Sequence, residues 1–132
     1  MRNSGRWTES RFKQFVIGAL RSASNRWGPK FEIVKAARVE RGVYLCAGYK
    51  KRPHRVPASL PPQPGKSKRL KNVYVDHKEP VVDPKKGFTT FDEFIERLFV
   101  EKDALQLLCL ECHTRKTADE KELRKKNGNP GR

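Results

Sequence analysis

Residues 105–113 have the sequence LQLLCLECH, in which an apolar run ends in a Cys-x-x-Cys-His motif. The first four of these residues are typical of a strand, and the residues after the last cysteine favour a terminal helix. A second apolar segment, at 73–75, ends at Asp76 and His77. Together the two segments predict a pair of strands followed by a helix, with a carboxylate and an imidazole at the end of one strand.

A further helix is predicted between these two strands. Residues 80–87 are rich in turn-forming residues, and residues 90–93 match the Thr-x-x-Glu capping box that begins many helices. The side chains that this helix is expected to bury are Phe91, Phe94, Ile95 and Leu98. The predicted order is therefore strand, loop with an inserted helix, strand and helix.

Two more helices are predicted ahead of this unit, in a basic region that spans residues 1–42. Apolar residues recur at three- and four-residue spacing over residues 9–25, which predicts the first helix. They are Phe12, Phe15, Val16, Ala19, Leu20 and Ala23. Pro29 can open the second helix, which is expected to end before Gly42. We interpret both helices as core-forming elements.

Residues 43–46 are apolar enough for a short strand, whereas residues 50–71 are not. The latter segment contains eight Lys or Arg and five prolines, and no acidic residue occurs between Glu40 and Asp76. High charge and proline content disfavour packing, so a mobile basic loop is predicted. Such a loop can follow a phosphate backbone or serve only as a solvated linker. The globular core is expected to cover residues 43–126, with a disordered tail at 127–132.

The charge balance indicates a polyanionic partner. The 132 residues include 30 Lys or Arg and 15 Asp or Glu, which gives a formal net charge of +15. A bias of this size exceeds what solubility requires and favours nucleic acid. No apolar run approaches the roughly 20 residues that cross a bilayer, so we expect a soluble intracellular protein with no membrane partner. With 36% hydrophobic residues, the chain can form one domain with a modest core.

Cysteines, histidines and an aspartate are candidates for metal chemistry. Cys109 and Cys112 form a Cys-x-x-Cys pair, which in an intracellular protein suits metal ligation better than a disulfide. Asp76, His77 and His113 form a second set. A neutral imidazole can take a proton from water, while a carboxylate and another imidazole bind a divalent cation beside a phosphate. These residue types point to phosphodiester hydrolysis.

From residue 44 to residue 117 the sequence resembles the HNH endonucleases, and in particular the small HNH proteins of tailed bacteriophages. The similarity lies in VDHKEP at 75–80 and LLCLECHTRKT at 107–117. The segments WTESRF at 7–12 and GFTTFDEF at 87–94 are also similar to those phage proteins. The resemblance implies an α+β fold with a ββα-metal (His-Me finger) core, preceded here by N-terminal helices and a basic Pro-rich loop.

The resemblance also implies residue roles. Asp76 and His113 are the implied metal ligands, and His77 is the implied general base. The implied cofactor is a divalent cation, for which Mg²⁺, Mn²⁺ and Ni²⁺ all suit a mixed carboxylate and imidazole site. The implied activity is metal-dependent cleavage of double-stranded DNA, by nicking or by cutting both strands. The implied setting is the host cytoplasm, in cooperation with phage packaging proteins.

One departure from the family concerns the middle Asn of the motif, whose position is occupied by Ala104. In the family this Asn is thought to hold the loop that orients the catalytic histidine, so His77 is expected to be less well held. Asn72 or Gln106 is an alternative source of that contact. The alternative function is therefore a catalytically impaired HNH-fold DNA-binding protein. An RNA-binding or adaptor role ranks third, because the basic segment 50–71 lacks stacking aromatics.

A second departure concerns a structural zinc site. Relatives commonly contain two Cys-x-x-Cys pairs, but here the first pair has Cys46 and then Tyr49 in place of its second cysteine. A tetrahedral zinc site needs four ligands. His54 is the candidate that would complete a site with Cys46, Cys109 and Cys112; the alternative is a degenerate site without metal.

Three cations close to the motif are candidate DNA contacts. Lys78 follows the implied general base, and Arg115 and Lys116 follow His113 in the first turn of the predicted last helix. The alternative for each is an exposed position without a phosphate contact.

Overall fold

The computed structural model describes residues 2–128 and has an α+β fold. Its helices are α1 (Glu9–Ser24), α2 (Gly28–Ala37), α3 (Phe91–Leu98) and α4 (Leu110–Lys126). Its strands are β1 (Arg38–Glu40), β2 (Val43–Cys46), β3 (His54–Pro57), β4 (Ser59–Leu60), β5 (Leu70–Lys71), β6 (Val73–His77) and β7 (Leu105–Cys109). A short 3-10 helix, Lys102–Ala104, leads into β7.

Local sequence signals explain where the helices begin. The hydroxyl of Thr8 accepts a hydrogen bond from the backbone N–H of Arg11 and so caps α1. Pro29 lies in the first turn of α2, where a missing N–H costs nothing. The Thr90 hydroxyl accepts from the Glu93 N–H at 3.1 Å, as the capping-box pattern predicts. The predicted starts of all three helices are confirmed, but α2 ends at Ala37 and is followed by β1, earlier than the end expected at Gly42.

The strands β6 and β7 pair in an antiparallel hairpin, and α4 begins directly after β7. The register places Val73 opposite Cys109 at one end and His77 opposite Leu105 at the other. The predicted order of strand, loop with a helix, strand and helix is confirmed in this part of the chain. Residues 76 and 77 thus lie at the end of the strand pair that residues 78–104 connect, beside α4.

The expectation of a continuous loop over residues 50–71 is corrected by the structure. Strand β3 pairs with β2 along its whole length, with His54 opposite Cys46, and β4 pairs with β5. Val56, in the middle of β3, is buried. The prolines tolerate this because they stand before β3, at its last residue, or in the turn between β4 and β5, where few ladder hydrogen bonds need their missing N–H.

Two groups of buried side chains form the core. One lies between β2, β3, β7 and the start of α4 and contains Cys46, Val56, Leu108, Cys109 and Cys112. The other joins α1 to α3 and contains Ile17, Val82, Phe94 and Leu98. In addition, Trp27 Nε1 donates a 2.7 Å hydrogen bond to the carbonyl of Val100. The N-terminal helices are therefore packed against the rest of the fold.

At the C-terminus, α4 is followed by Asn127, whose side chain donates to the Leu123 carbonyl. Residues 129–132, most of the tail predicted at 127–132, lie outside the described residues, as does Met1. Within residues 2–128, no helix has the length and apolar character that crossing a membrane requires.

Replacing Ile17 by Ala should lower the free energy of unfolding by about 2–5 kcal/mol, because it leaves a cavity where α1 meets α3. The matched control is Ile95→Ala on α3, where the side chain is 37% exposed and the loss should be about 1 kcal/mol or less. Urea unfolding followed by circular dichroism measures both. Equal losses in the two variants would contradict the packing of α1 in the core.

Candidate functional site

Asp76 and His77, at the end of β6, open into a cleft of about 590 Å³. Side chains from α1, α4 and the loop after β6 form its other walls. The charged or ionisable groups that line it are Arg21, Asp76, His77, Lys116, Glu120 and Arg124. The cleft is therefore polar, combines acids with cations, and depends on α1 as well as on the hairpin.

The ring of His77 is held by the main chain. Its Nε2 donates a 2.7 Å hydrogen bond to the carbonyl of Leu98, the last residue of α3. With the proton on Nε2, Nδ1 of the neutral ring is the atom that can accept a proton. Burial lowers the pKa of His77, and the nearby cations Lys30 and Arg21 add to this, against the opposing effects of the Leu98 hydrogen bond and Asp76. The imidazole is therefore neutral near pH 7.

Backbone contacts also hold Lys78, the residue after His77. The N–H of Lys78 donates to the carbonyl of Ala104 at 2.9 Å, which extends the pairing of the hairpin by one residue. Asn72 does not orient His77, because its amide donates to the Pro57 carbonyl and its side-chain oxygen accepts from the N–H of Leu110. Asn72 instead holds the first residue of α4.

The carboxylate of Asp76 lies against Lys116 of α4. The Nζ atom of Lys116 is 2.8 Å from Asp76 Oδ2, 2.8 Å from Glu120 Oε2 and 2.9 Å from the His77 carbonyl oxygen. Asp76 Oδ2 is therefore ion-paired with the Lys116 ammonium inside the wall of the cleft.

His113 lies one helical turn before Lys116 and stacks on Tyr74, with ring centroids 4.8 Å apart and an angle of 11° between the rings. Its Nδ1 is buried and has no hydrogen-bond partner in the described part of the chain. Asp76, His77 and His113 do not form a close three-residue ligand cluster there. The structure brings Asp76 and His77 into one cleft and places His113 beside the same strand.

A second group of metal-binding side chains is compact. The ligand atoms of Cys46, His54, Cys109 and Cys112 all lie within 4.8 Å of one another, so this group can hold a metal ion. The pairing of β2 with β3 brings Cys46 opposite His54, while β7 and the first turn of α4 carry the other two cysteines. The candidate ligand set that includes His54 is thus brought together.

Backbone groups contact the sulfur of Cys46 and the ring of His54 in this cluster. The Sγ of Cys46 accepts from the N–H groups of Gly48, at 3.3 Å, and Cys109, at 3.2 Å. Gly48 has a φ of +83°, and a Cβ there would collide with the carbonyl of Lys51, so only glycine fits the turn. His54 Nδ1 contacts the Arg52 carbonyl, which leaves Nε2 facing Cys109 Sγ at 3.7 Å.

The thiols differ in acidity. Burial raises the pKa of Cys109, but hydrogen bonds from the Cys112 backbone and from His54 outweigh it and bring this pKa down to about 7. Burial raises the pKa of Cys112 to about 11. Near neutral pH, Cys109 is therefore the cysteine of this pair that more readily forms a thiolate. Tyr49, three residues after Cys46, donates from its hydroxyl to Asp119 of α4 at 2.6 Å.

The three cations expected near the motif have different surroundings. Lys78 is exposed, and Arg115 is exposed beside Glu111, 3.6 Å away. Lys116 is only 7% exposed and is surrounded by the oxygens of Asp76, His77 and Glu120. Lys116 therefore faces the protein interior instead of solvent. The sequence did not indicate that Lys116 is buried. Nor did it indicate that the Leu98 carbonyl holds His77, because every residue has a backbone carbonyl.

In comparisons with known proteins, no family model, no curated protein and no solved structure matches this chain.

His77 should titrate below the ordinary histidine value of about 6.5, since burial disfavours its charged form. Because the unfolded chain then binds the proton more readily, stability should fall as pH is lowered through that value. An NMR titration in EDTA measures the midpoint, with His77→Gln to assign the resonance. A midpoint at or above the ordinary value would contradict the burial of this ring.

Proposed function

We propose that the protein is a metal-dependent DNA endonuclease of the HNH type, which hydrolyses phosphodiester bonds with His77 as general base. The observation that supports this most directly is the state of His77: a neutral ring in a polar cleft, held through Nε2 by the Leu98 carbonyl. A general base needs a fixed orientation and an unprotonated nitrogen at working pH. The ring meets both requirements.

Asp76 and His113 are the proposed ligands of a divalent cation. His113 Nδ1 is buried and lacks a hydrogen-bond partner within residues 2–128, whereas Asp76 Oδ2 lies 2.8 Å from Lys116 Nζ. A buried polar atom such as His113 Nδ1 is rarely left without a partner unless a ligand, ion or water satisfies it. A carboxylate oxygen and an imidazole nitrogen suit Mg²⁺, Mn²⁺ or Ni²⁺. Held there, such an ion would stabilise negative charge on the phosphate and on the leaving oxygen.

The remaining steps belong to side chains of the cleft. Nδ1 of His77 takes a proton from the attacking water, and the Leu98 carbonyl keeps the ring aligned as it becomes imidazolium. Arg21 and Arg124 line the same cleft, where their positive charges would attract a phosphate and offset its negative charge. Because a hydrogen bond to the main chain holds the His77 ring, the ring keeps its orientation whether or not substrate is bound.

Double-stranded DNA is the proposed partner. A net charge of +15 favours binding to a phosphate backbone. Lys78, directly after His77, and Arg115, on the exposed side of α4, are proposed phosphate contacts. A role with phage packaging proteins in the host cytoplasm is proposed on the sequence resemblance alone.

We further propose that Cys46, His54, Cys109 and Cys112 hold a structural zinc ion. Three thiols and one imidazole are a ligand set that zinc accepts in tetrahedral geometry. The contact of His54 Nδ1 with a backbone carbonyl fits a ring that binds metal through Nε2. The zinc would join β2, β3, β7 and α4 at the end of the hairpin opposite His77.

Purified protein should nick or linearise supercoiled plasmid in Mg²⁺, Mn²⁺ or Ni²⁺ and leave it intact in EDTA. His77→Ala should abolish cleavage, with a loss of at least about 100-fold, because general-base catalysis contributes factors of that order. Gel electrophoresis of the plasmid measures both. Intact plasmid with every cation, together with a salt-dependent gel shift, would instead identify a catalytically impaired DNA-binding protein.

Metal analysis tests the zinc site separately. Protein dialysed against EDTA should retain about one zinc per chain, because a four-ligand site exchanges slowly. His54→Ala should lose most of that zinc and some thermal stability. His77→Ala is the matched control, since it removes an imidazole outside the cluster and should keep its zinc. Metal-free wild-type protein would show the cluster to be degenerate.

A further inference from the structure

A buried ammonium group lies between two carboxylates next to the proposed metal ligand. Lys116 is 7% exposed, and its Nζ is 2.8 Å from Asp76 Oδ2 and 2.8 Å from Glu120 Oε2. Lysine is almost never buried unless it is paired. Neither Lys116 nor Glu120 has a part in the proton transfer described above, so their arrangement needs another explanation.

We propose that Lys116 and Glu120 are positioning residues of the divalent-cation site, with Lys116 holding Asp76 and the His77 peptide and Glu120 maintaining the negative charge of the site. This inference rests on the proposed function, since it concerns the same cation. It assigns the pair a role beyond that of an ordinary helix surface ion pair.

The geometry supports the positioning role of Lys116. One Nζ atom contacts the side chain of Asp76 and also donates to the carbonyl of His77 at 2.9 Å. A single group on α4 therefore fixes a proposed ligand and the peptide unit that carries the proposed base. Residues behind a metal ligand commonly set its orientation in this way.

The charges explain why Glu120 is needed. The Lys116 ammonium lies between two carboxylates, 2.8 Å from each. With Asp76 alone, that ammonium would cancel the ligand's charge. The two carboxylates leave one negative charge among these three side chains, which a dication can use. Glu120 thus keeps the site attractive to a metal despite the neighbouring lysine.

The test is Mn²⁺ binding to the full-length protein without DNA, measured by calorimetry, with Glu120→Gln as the variant. Affinity should fall about 10- to 100-fold, the usual range for residues behind a ligand. Glu122→Gln is the matched control, because it removes the same charge from an exposed position on the same helix. Its Mn²⁺ affinity should equal that of the wild type.

A double variant, Lys116→Met with Glu120→Gln, separates charge from a structural effect. It removes one charge of each sign, so Mn²⁺ affinity should rise above that of Glu120→Gln but stay below that of the wild type, because Asp76 loses the contact that holds it. Glu120→Gln keeps the Asp76–Lys116 pair, so no buried charge loses its partner in that variant. Wild-type affinity in Glu120→Gln, or a double variant that binds Mn²⁺ no better than Glu120→Gln, would overturn the role of Glu120, and wild-type affinity in the double variant would refute the positioning role of Lys116.

Asp76→Ala distinguishes failure of this inference from failure of the proposed function. Its Mn²⁺ affinity should be lost, whereas the zinc content should be kept. If the wild type binds Mn²⁺ no better than Asp76→Ala, the proposed catalytic site itself is wrong. If the wild type binds Mn²⁺ through Asp76 and Glu120→Gln does the same with equal affinity, only the role of Glu120 is refuted.

Discussion

The antiparallel pairing of β6 with β7 fixes Asp76, His77 and Cys109 relative to one another. Val73 pairs with Cys109 at one end of the hairpin, and His77 pairs with Leu105 at the other. The Cys/His cluster therefore lies at one end and the cleft at the other, roughly 13 Å apart at the usual rise per strand residue. A register shift of one residue would turn these side chains to the opposite face. Leu105 and Leu107 are buried on one face of β7, and such a shift would place Gln106 there instead.

Helix α1 forms one wall of the cleft. Ile17 of α1 is fully buried against α3, and Trp27 donates to the carbonyl of Val100, between α3 and the 3-10 helix. This packing carries Arg21 into the wall of the cleft and sets the position of α3, whose last carbonyl holds His77. The orientation of the proposed base thus depends on core packing in a region far from it in sequence.

Much of the fold could be predicted because its signals are local. The capping box at Thr90 and the apolar spacing before Ser24 each specify an element without reference to the rest of the chain. The segment at 50–71 could not be assigned in this way. Its strand β3 has one buried side chain, Val56, and is ordered by pairing with β2, a contact that composition does not reveal.

The candidate site likewise combines residues that could be predicted from local sequence signals with residues that could not. Cys46, His54, Cys109 and Cys112 could be predicted as a group because metal ligation restricts the residue types that take part. Lys116 could not be assigned correctly, because the sequence shows a cation one turn after His113 but not the side of α4 on which it lies. Only the packing of α4 on β6 turns its ammonium toward Asp76 and Glu120.

Ala104 takes part in one of three contacts with main-chain atoms that surround His77. The Leu98 carbonyl holds the ring of His77, Lys116 holds its carbonyl oxygen, and the next N–H donates to the carbonyl of Ala104. The contact at Ala104 uses only backbone atoms, which any residue supplies. Three contacts with main-chain atoms therefore hold His77 and the residue after it, and none of them depends on the side chain at position 104. A neutral, fixed imidazole is what the proposed function requires of His77.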